Sequence, residues 1–208
     1  MNTKNSAPRA FSILELLIVI GIMAVLAAMT MAVGPGLLRS SAMSSSLSAV
    51  ASAVSLARSE AIRSRKPTFF VLAPTDTDRG YVAYAIIRRD GTDGTTNHTY
   101  ITPWKKLPTG VLFNLVITNA VMPTASLPYD KATNSLTLLP AIGFVSDGAL
   151  DEDMHPEGTK PILPLQVGTR TGTDAPAYQG SYTDNTNEIY VERLSGKVKV
   201  KRVGEVPK

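Results

Sequence analysis

Few side chains in this 208-residue chain are equipped for chemistry. There is no cysteine, so neither disulfides nor thiol reactions can contribute. The two histidines, His98 and His155, lie in polar, turn-rich segments and read as ordinary loop residues. That leaves too few ligands for zinc held by His and Cys. The segment "DGALDEDMHPEG" gathers Asp147, Asp151, Glu152, Asp153 and Glu157, hard oxygen donors of the kind that hold calcium. Their spacing is not that of an EF-hand loop, and a solvated loop is the plainer reading. No glycine-rich phosphate loop with a following Lys occurs, and no nucleophile elbow. No catalytic constellation stands out, so the expected role is not enzymatic and no cofactor is expected.

Two charged features remain. The first is "KVKVKRVGEVPK" near the end of the chain. On a strand, Lys197, Lys199 and Lys201 share one face and Val198 and Val200 the other, with Arg202 extending the cationic run. Such a strand is either half-buried with lysines guarding an open edge, or a strip that attracts phosphate. The formal net charge of +4 is modest and implies no global polyelectrolyte partner, so nucleic acid is possible but not favoured.

The second is Glu15, the single carboxylate in "RAFSILELLIVIGIMAVLAAM", residues 9–29. From Phe11 to Val33 only Ser12, Glu15 and Thr30 interrupt an apolar or small-residue run. As a helix that run is about 34 Å long, against a bilayer core of about 30 Å. Lys4 and Arg9 precede it without an acid, which keeps that end cytoplasmic and places everything after Gly34 outside the inner membrane. An acid in such a helix costs up to about 3 kcal/mol at mid-bilayer and less near the interface. A cleaved signal peptide would end near Ala27, Ala28 or Ala32, but its core should be shorter and free of acid. A plain signal anchor fits the length and leaves Glu15 unexplained.

The third reading comes from a resemblance. The segment resembles the N-terminus of type IV pilin-like proteins, with their short basic leader, cleavage before a Phe, Glu at the fifth mature position and unbroken apolar helix. The resemblance implies cleavage between Ala10 and Phe11, N-methylation of Phe11, and Glu15 as the fifth mature residue. The family usually has Gly where this chain has Ala10. Cleavage would create an amine at Phe11, and the Glu15 carboxylate of one subunit could pair with the amine of its neighbour. Because an unpaired buried charge is expensive, that pairing would also set the stagger between subunits. The plainer alternative is that Glu15 lies about one turn from the interface and reaches water.

Beyond this run, Gly34, Pro35 and Gly36 predict a kink or local unwinding. Met43, Leu47, Val50, Val54, Ala57 and Ala61 then recur at three- and four-residue spacing, one apolar stripe on an amphipathic helix. Arg63, Arg65 and Lys66 fall in the last turn, where cations suit the helix dipole better than they suggest a DNA patch, and Pro67 stops the helix. The stretch "LARSEAIRSRKPTFFVL" resembles the helix end of minor pseudopilins of the GspH/FimT type.

After Pro67 the period turns strand-like. "TFFVL", "YVAYAIIR", "YITPWKKL", "VLFNLVIT", "LTLLPAIGFV", "ILPLQVG", "EIYVERL" and "KVKVKRV" are separated by turn signals such as "RDGTDG", "LPTG", "SDG" and "LSG". About eight strands, mostly antiparallel, are expected, one face covering the helix stripe. "LSGK" reads as a tight hairpin. Residues 118–135 and 168–187 read as polar loops or insertions. "IGFVSDGAL" and "EIYVERLSGKVKV" again resemble the GspH/FimT type, in its Phe-x-x-x-Gly segment and its closing strand, Gly turn and basic strand.

The expected fold is therefore α+β: a leader (1–10), a transmembrane or filament-core helix (11–34), an amphipathic helix (35–66) and a mostly antiparallel, β-rich extracytoplasmic domain (67–208). The resemblance implies a minor pilin or pseudopilin, a structural subunit of a type IV pilus or type II secretion pseudopilus. Its implied partners are other pilins or pseudopilins, a prepilin peptidase, an assembly platform with its ATPase, and the inner membrane. Its implied location is a single pass of that membrane, C-terminal domain in the periplasm, before entry into the filament. Two alternatives stand beside it. One is a DNA-binding minor pilin using Lys197, Lys199, Lys201 and Arg202; the other is an exported protein with an ordinary signal peptide.

Overall fold

The structure is a computed structural model, described here for residues 12–91, 97–115, 122–130, 135–157, 161–181 and 186–203. Side chains at 28–38 lie outside the described set, but the backbone is continuously helical through Gly34–Gly36, where local unwinding was expected. The long helix is α1 (Ile13–Ser64). Ten strands follow among the described residues: β1 (Thr68–Leu72), β2 (Ala83–Arg89), β3 (His98–Lys106), β4 (Val111–Phe113), β5 (Thr124–Pro128), β6 (Leu136–Phe144), β7 (Ile162–Thr169), β8 (Ala177–Tyr178), β9 (Thr186–Val191) and β10 (Val198–Arg202). The chain divides into two units, residues 1–40 and 41–208.

In the first unit every described side chain from Ser12 to Ala27 is exposed. No helix is long and apolar enough, among the described residues, to cross a membrane. The span expected over 11–34 is thus not carried by the described residues.

In the second unit the buried face of α1 carries Met43, Val50, Val54, Ala57 and Ala61, with Leu47 partly buried beside them. Small residues on this face let the sheets approach closely. Two sheets cover it, ordered β3-β2-β1-β6-β5 and β10-β9-β7-β4, with β8 added beside β7. All these pairings are antiparallel. Strand β1 is central and buried throughout. Its alternation sends Phe70 and Leu72 to the core shared with α1, and Phe69 and Val71 to a second core on the opposite face. The first core is stitched by aromatic contacts, Phe70–Tyr84 at 5.5 Å and Tyr84–Phe113 at 6.3 Å between ring centroids.

The second core is closed by curling of the first sheet. Ala125 and Leu127 of β5 pack with Phe69, Val71, Ile87 and Leu139. The two edge strands then approach: Tyr100 Oη of β3 donates to Pro128 O at 2.5 Å, and Trp104 Nε1 donates to Tyr129 O at 3.1 Å. Residues 118–135, expected to be a polar loop or insertion, therefore contribute a strand with a buried face. The other such segment, 168–187, contributes β8 and the first residues of β9. It also supplies Arg170, which donates to Thr75 O at 2.9 Å, to Gly80 O at 2.5 Å and to Asp174 O at 2.7 Å, and lies 5.0 Å over the Tyr81 ring. That guanidinium satisfies three loop carbonyls at once.

Candidate assembly surfaces

Ala10 and Phe11, the expected cleavage and methylation residues, lie outside the described residues. Glu15 is in the first turn of α1. Ser12 caps that turn: its Oγ accepts from Leu14 N at 3.2 Å and its carbonyl accepts from Glu15 N at 3.0 Å. Glu15 thus stands three residues after the cap, where a carboxylate favours the positive end of the helix. The Ser-x-x-Glu spacing was the available signal for this local role, and the sequence reading missed it.

At the other end of α1, the segments "ARSEAI", "FVSDG" and "LSGK" meet. Arg58 Nε donates to Gly148 O at 3.1 Å. Gly148 (φ +85°) leaves no room for a side chain, since a Cβ there would lie 2.6 Å from Ile62 Cδ1. Gly196 (φ +60°) is tighter, with a Cβ placed 2.2 Å from Gly148 O and 2.7 Å from Arg58 Cδ. So the glycine of "FVSDG" and the glycine of "LSGK" are stacked on each other against the "ARSEAI" turn. Between β9 and β10 the chain is held by Glu192 N donating to Lys197 O at 2.9 Å and Gly196 N donating to Glu192 O at 2.7 Å. The connection is wider than the tight hairpin expected there.

In the same turn, Glu60 is buried and accepts from Arg63 Nε and Nη2, both at 2.8 Å, and from Arg88 Nη1 at 2.7 Å. Burial alone would raise its carboxyl, but hydrogen bonds from Arg63 and Arg88 outweigh that and hold it below its ordinary value. Arg88 Nε also donates to Asp90 at 2.8 Å, where Lys66 Nζ arrives at 2.9 Å and Thr99 Oγ1 completes the shell. Burial works against the Asp90 charge too. Its donors Arg88, Thr99 and Lys66 overcome it and keep the carboxyl well below the usual carboxylate range. Arg63 and Lys66 therefore have specific carboxylate partners besides the helix dipole. Arg65 takes a left-handed conformation (φ 53°) and ends the helix just before Pro67.

The basic strand is less free than its sequence suggests. Lys197 precedes β10, which begins at Val198 and forms the edge of its sheet. Lys199 pairs with Glu192, and Lys201 stands opposite Glu188 in the register with β9. Val200 is half exposed, so the strand does not bury one face as expected. Lys201 and Arg202 are exposed.

Three side chains of the acidic segment have partners within the chain, two of them local backbone groups. Asp147 Oδ1 accepts from Ala149 N at 2.8 Å, Asp151 Oδ1 from Asp153 N at 3.1 Å, and Glu152 pairs with Arg193 at 2.9 Å. No cluster of three potential metal ligands forms among the described residues. His155 lies in the loop between β6 and β7, as expected, but its side chain is fully buried, with Nε2 accepting from Gly143 N at 3.3 Å. Desolvation pushes its pKa down to about 4, against a smaller upward pull from Asp151.

No protein-family model matches the chain, and no curated protein matches it. Among solved structures, the minor pseudopilin EpsH from the Type 2 Secretion System of Vibrio cholerae is similar. The likeness covers 80% of this chain and 99% of that one, at 14% sequence identity and a TM-score of 0.43.

Proposed function

We propose that this chain is a minor pilin or pseudopilin-type subunit, assembled through its N-terminal helix. One observation carries the reading. From Ser12 to Ala27 the helix surface is apolar or small on every side apart from Ser12 and Glu15, and every one of those side chains is exposed. A helix apolar all round needs lipid or other helices around it. A single carboxylate at its start then sets where a neighbouring chain can sit. In this reading a prepilin peptidase cuts between Ala10 and Phe11, Phe11 is N-methylated, and the new amine meets Glu15 of an adjacent subunit. The 11–34 segment holds the chain in the inner membrane until an assembly platform and its ATPase move it into a pilus or pseudopilus. The β-rich unit faces outward and contributes lateral contacts.

Mass analysis of the N-terminus of protein recovered from membranes tests this directly. A mature chain starting at Phe11 and carrying one added methyl is expected. A chain still starting at Met1, or starting beyond Ala28, would overturn the proposal.

A further inference from the structure

A groove of about 810 Å³ opens in the second unit, away from the Gly148–Gly196 contact. Its floor is aromatic. Tyr100 and Trp104 are 6.5 Å apart between ring centroids, and Trp104 and Tyr129 are 5.4 Å apart. The polar tips of two of these rings are already committed, Tyr100 Oη to Pro128 O and Trp104 Nε1 to Tyr129 O. All three rings remain partly exposed. What they offer a ligand is therefore ring surface. The lining also carries Asp78, Arg79, Lys106 and Asp130, two acids and two bases, so its formal charge cancels. None of the ion pairs among the described residues uses Asp78, Arg79 or Lys106.

We infer that this groove binds a neutral oligosaccharide. Aromatic faces stack on the apolar faces of sugar rings, and carboxylates and a guanidinium at the rim accept from and donate to neighbouring hydroxyls. The size and the mixture of apolar floor with a few polar groups suit a small-molecule site. Single-stranded nucleic acid also stacks on aromatic rings, but it needs a net positive track for its phosphates, and the described residues of this rim form none. The site is independent of the helix assembly proposed above, and its failure would leave that reading untouched.

Trp104 is the sole tryptophan of the chain, so its emission reports on the groove alone. The full chain, in a zwitterionic detergent without a sugar headgroup, would be titrated with tetrasaccharides of glucose, of galactose and of N-acetylglucosamine, and separately with a ten-residue oligo-dT. A saturable change in emission with at least one tetrasaccharide, insensitive to salt, is the expected result. Tyr129→Ala should weaken it about tenfold, with far-ultraviolet circular dichroism unchanged. Arg79→Ala should weaken it also. Silence with all three sugars would overturn the inference. So would a salt-sensitive response to oligo-dT in their place, or sugar binding that both variants leave intact.

Discussion

One helical element, α1, meets opposite surroundings in its two parts. Over residues 41–64 its apolar stripe is covered by two sheets, its buried carboxylate Glu60 has two arginine partners, and Arg58 is seated on a loop carbonyl. Over residues 13–27 every side chain is exposed, and no partner for the Glu15 carboxylate is present among the described residues. The difference lies in where the complementary surface comes from. For the second part, residues 67–203 of the same chain supply it. For the first, the proposed assembly draws it from lipid or from another chain. A buried charge that finds its partner inside the molecule contributes to folding; one whose partner lies outside contributes to assembly.

The largest expected effect breaks the comparison at Glu15. Glu15→Val removes the only charge from the exposed apolar surface of the described residues 12–27, so on the proposed function membrane anchoring should persist while incorporation into a filament is almost completely lost. Comparing the variant in membrane and sheared-filament fractions measures both. Normal incorporation would mean that Glu15 acts only within its own helix. Ser12→Ala sharpens the point, because it removes the cap at a cost of about 1 kcal/mol of helix stability and leaves the Glu15 charge in place. Equal defects in the two variants would assign Glu15 to capping rather than to pairing.

Next comes the second part of the helix, where steric fit replaces an absent partner. Gly196→Ala should destabilise the protein by about 3 kcal/mol or more, because a left-handed residue acquires a Cβ that collides with Gly148 O. Gly172→Ala is the matched control. Its φ of +57° is nearly that of Gly196, but nothing lies within 4 Å of the added carbon. It should cost only about 1 kcal/mol, the conformational share alone. Urea unfolding of both variants separates contact from conformation, and equal losses would show that the Gly148–Gly196 stacking contributes nothing.

Glu60→Gln tests the ion-pair side of the same junction. The variant leaves Arg63 and Arg88 facing a neutral amide, at an expected loss of about 2–4 kcal/mol. The carboxylate pKa is depressed in the folded state, so its stabilisation is present above about 4.5 and is lost as the pH falls through the folded value. The gap between Glu60→Gln and the native protein should therefore narrow in acid. A gap that stays constant down to the acid limit would mean that packing, not charge, holds this corner.

The residues in these tests differ in how much the sequence revealed of them. The helix stripe and the strand segments were legible because apolar residues at three- and four-residue spacing, or β-branched runs between turn glycines, specify a face locally. Strand β5, "TASLP", was not. Its burial comes from the curl that brings it over Phe69 and Leu139, a tertiary event with no local signature. Gly148 and Gly196 could be picked out by resemblance, but not as neighbours, since 48 positions separate them along the chain. Glu60 gave no sign of its distance-28 partner Arg88 for the same reason. The lysine alternation in "KVKVKRV" was visible, yet the acids facing it are Glu188 on β9 and Glu192 just after it. The aromatic groove is assembled from both edges of one curled sheet, so composition showed a tryptophan without showing a site.

The smallest expected effect concerns His155, which sits between Met154 and Pro156 in an acidic segment and whose surroundings in the fold are closed. Its Nε2 accepts from Gly143 N, and its Nδ1 has no hydrogen-bond partner among the described residues. An imidazolium has no place there, and its pKa falls to about 4 from an ordinary value of 6.5. The unfolded chain then binds a proton that the folded chain does not, at every pH between those two values. The contribution of His155 to stability is complete above about pH 6.5 and declines as the pH falls toward 4. Between pH 7 and pH 5 the loss should be about 2 kcal/mol. His155→Gln keeps an acceptor for Gly143 N and cannot titrate, so its stability should fall less over that interval. Urea unfolding of both proteins at the two pH values gives the difference directly. Parallel losses would show that the ring protonates in the folded state as readily as in water, and that this corner of the second unit is open to solvent like the helix start.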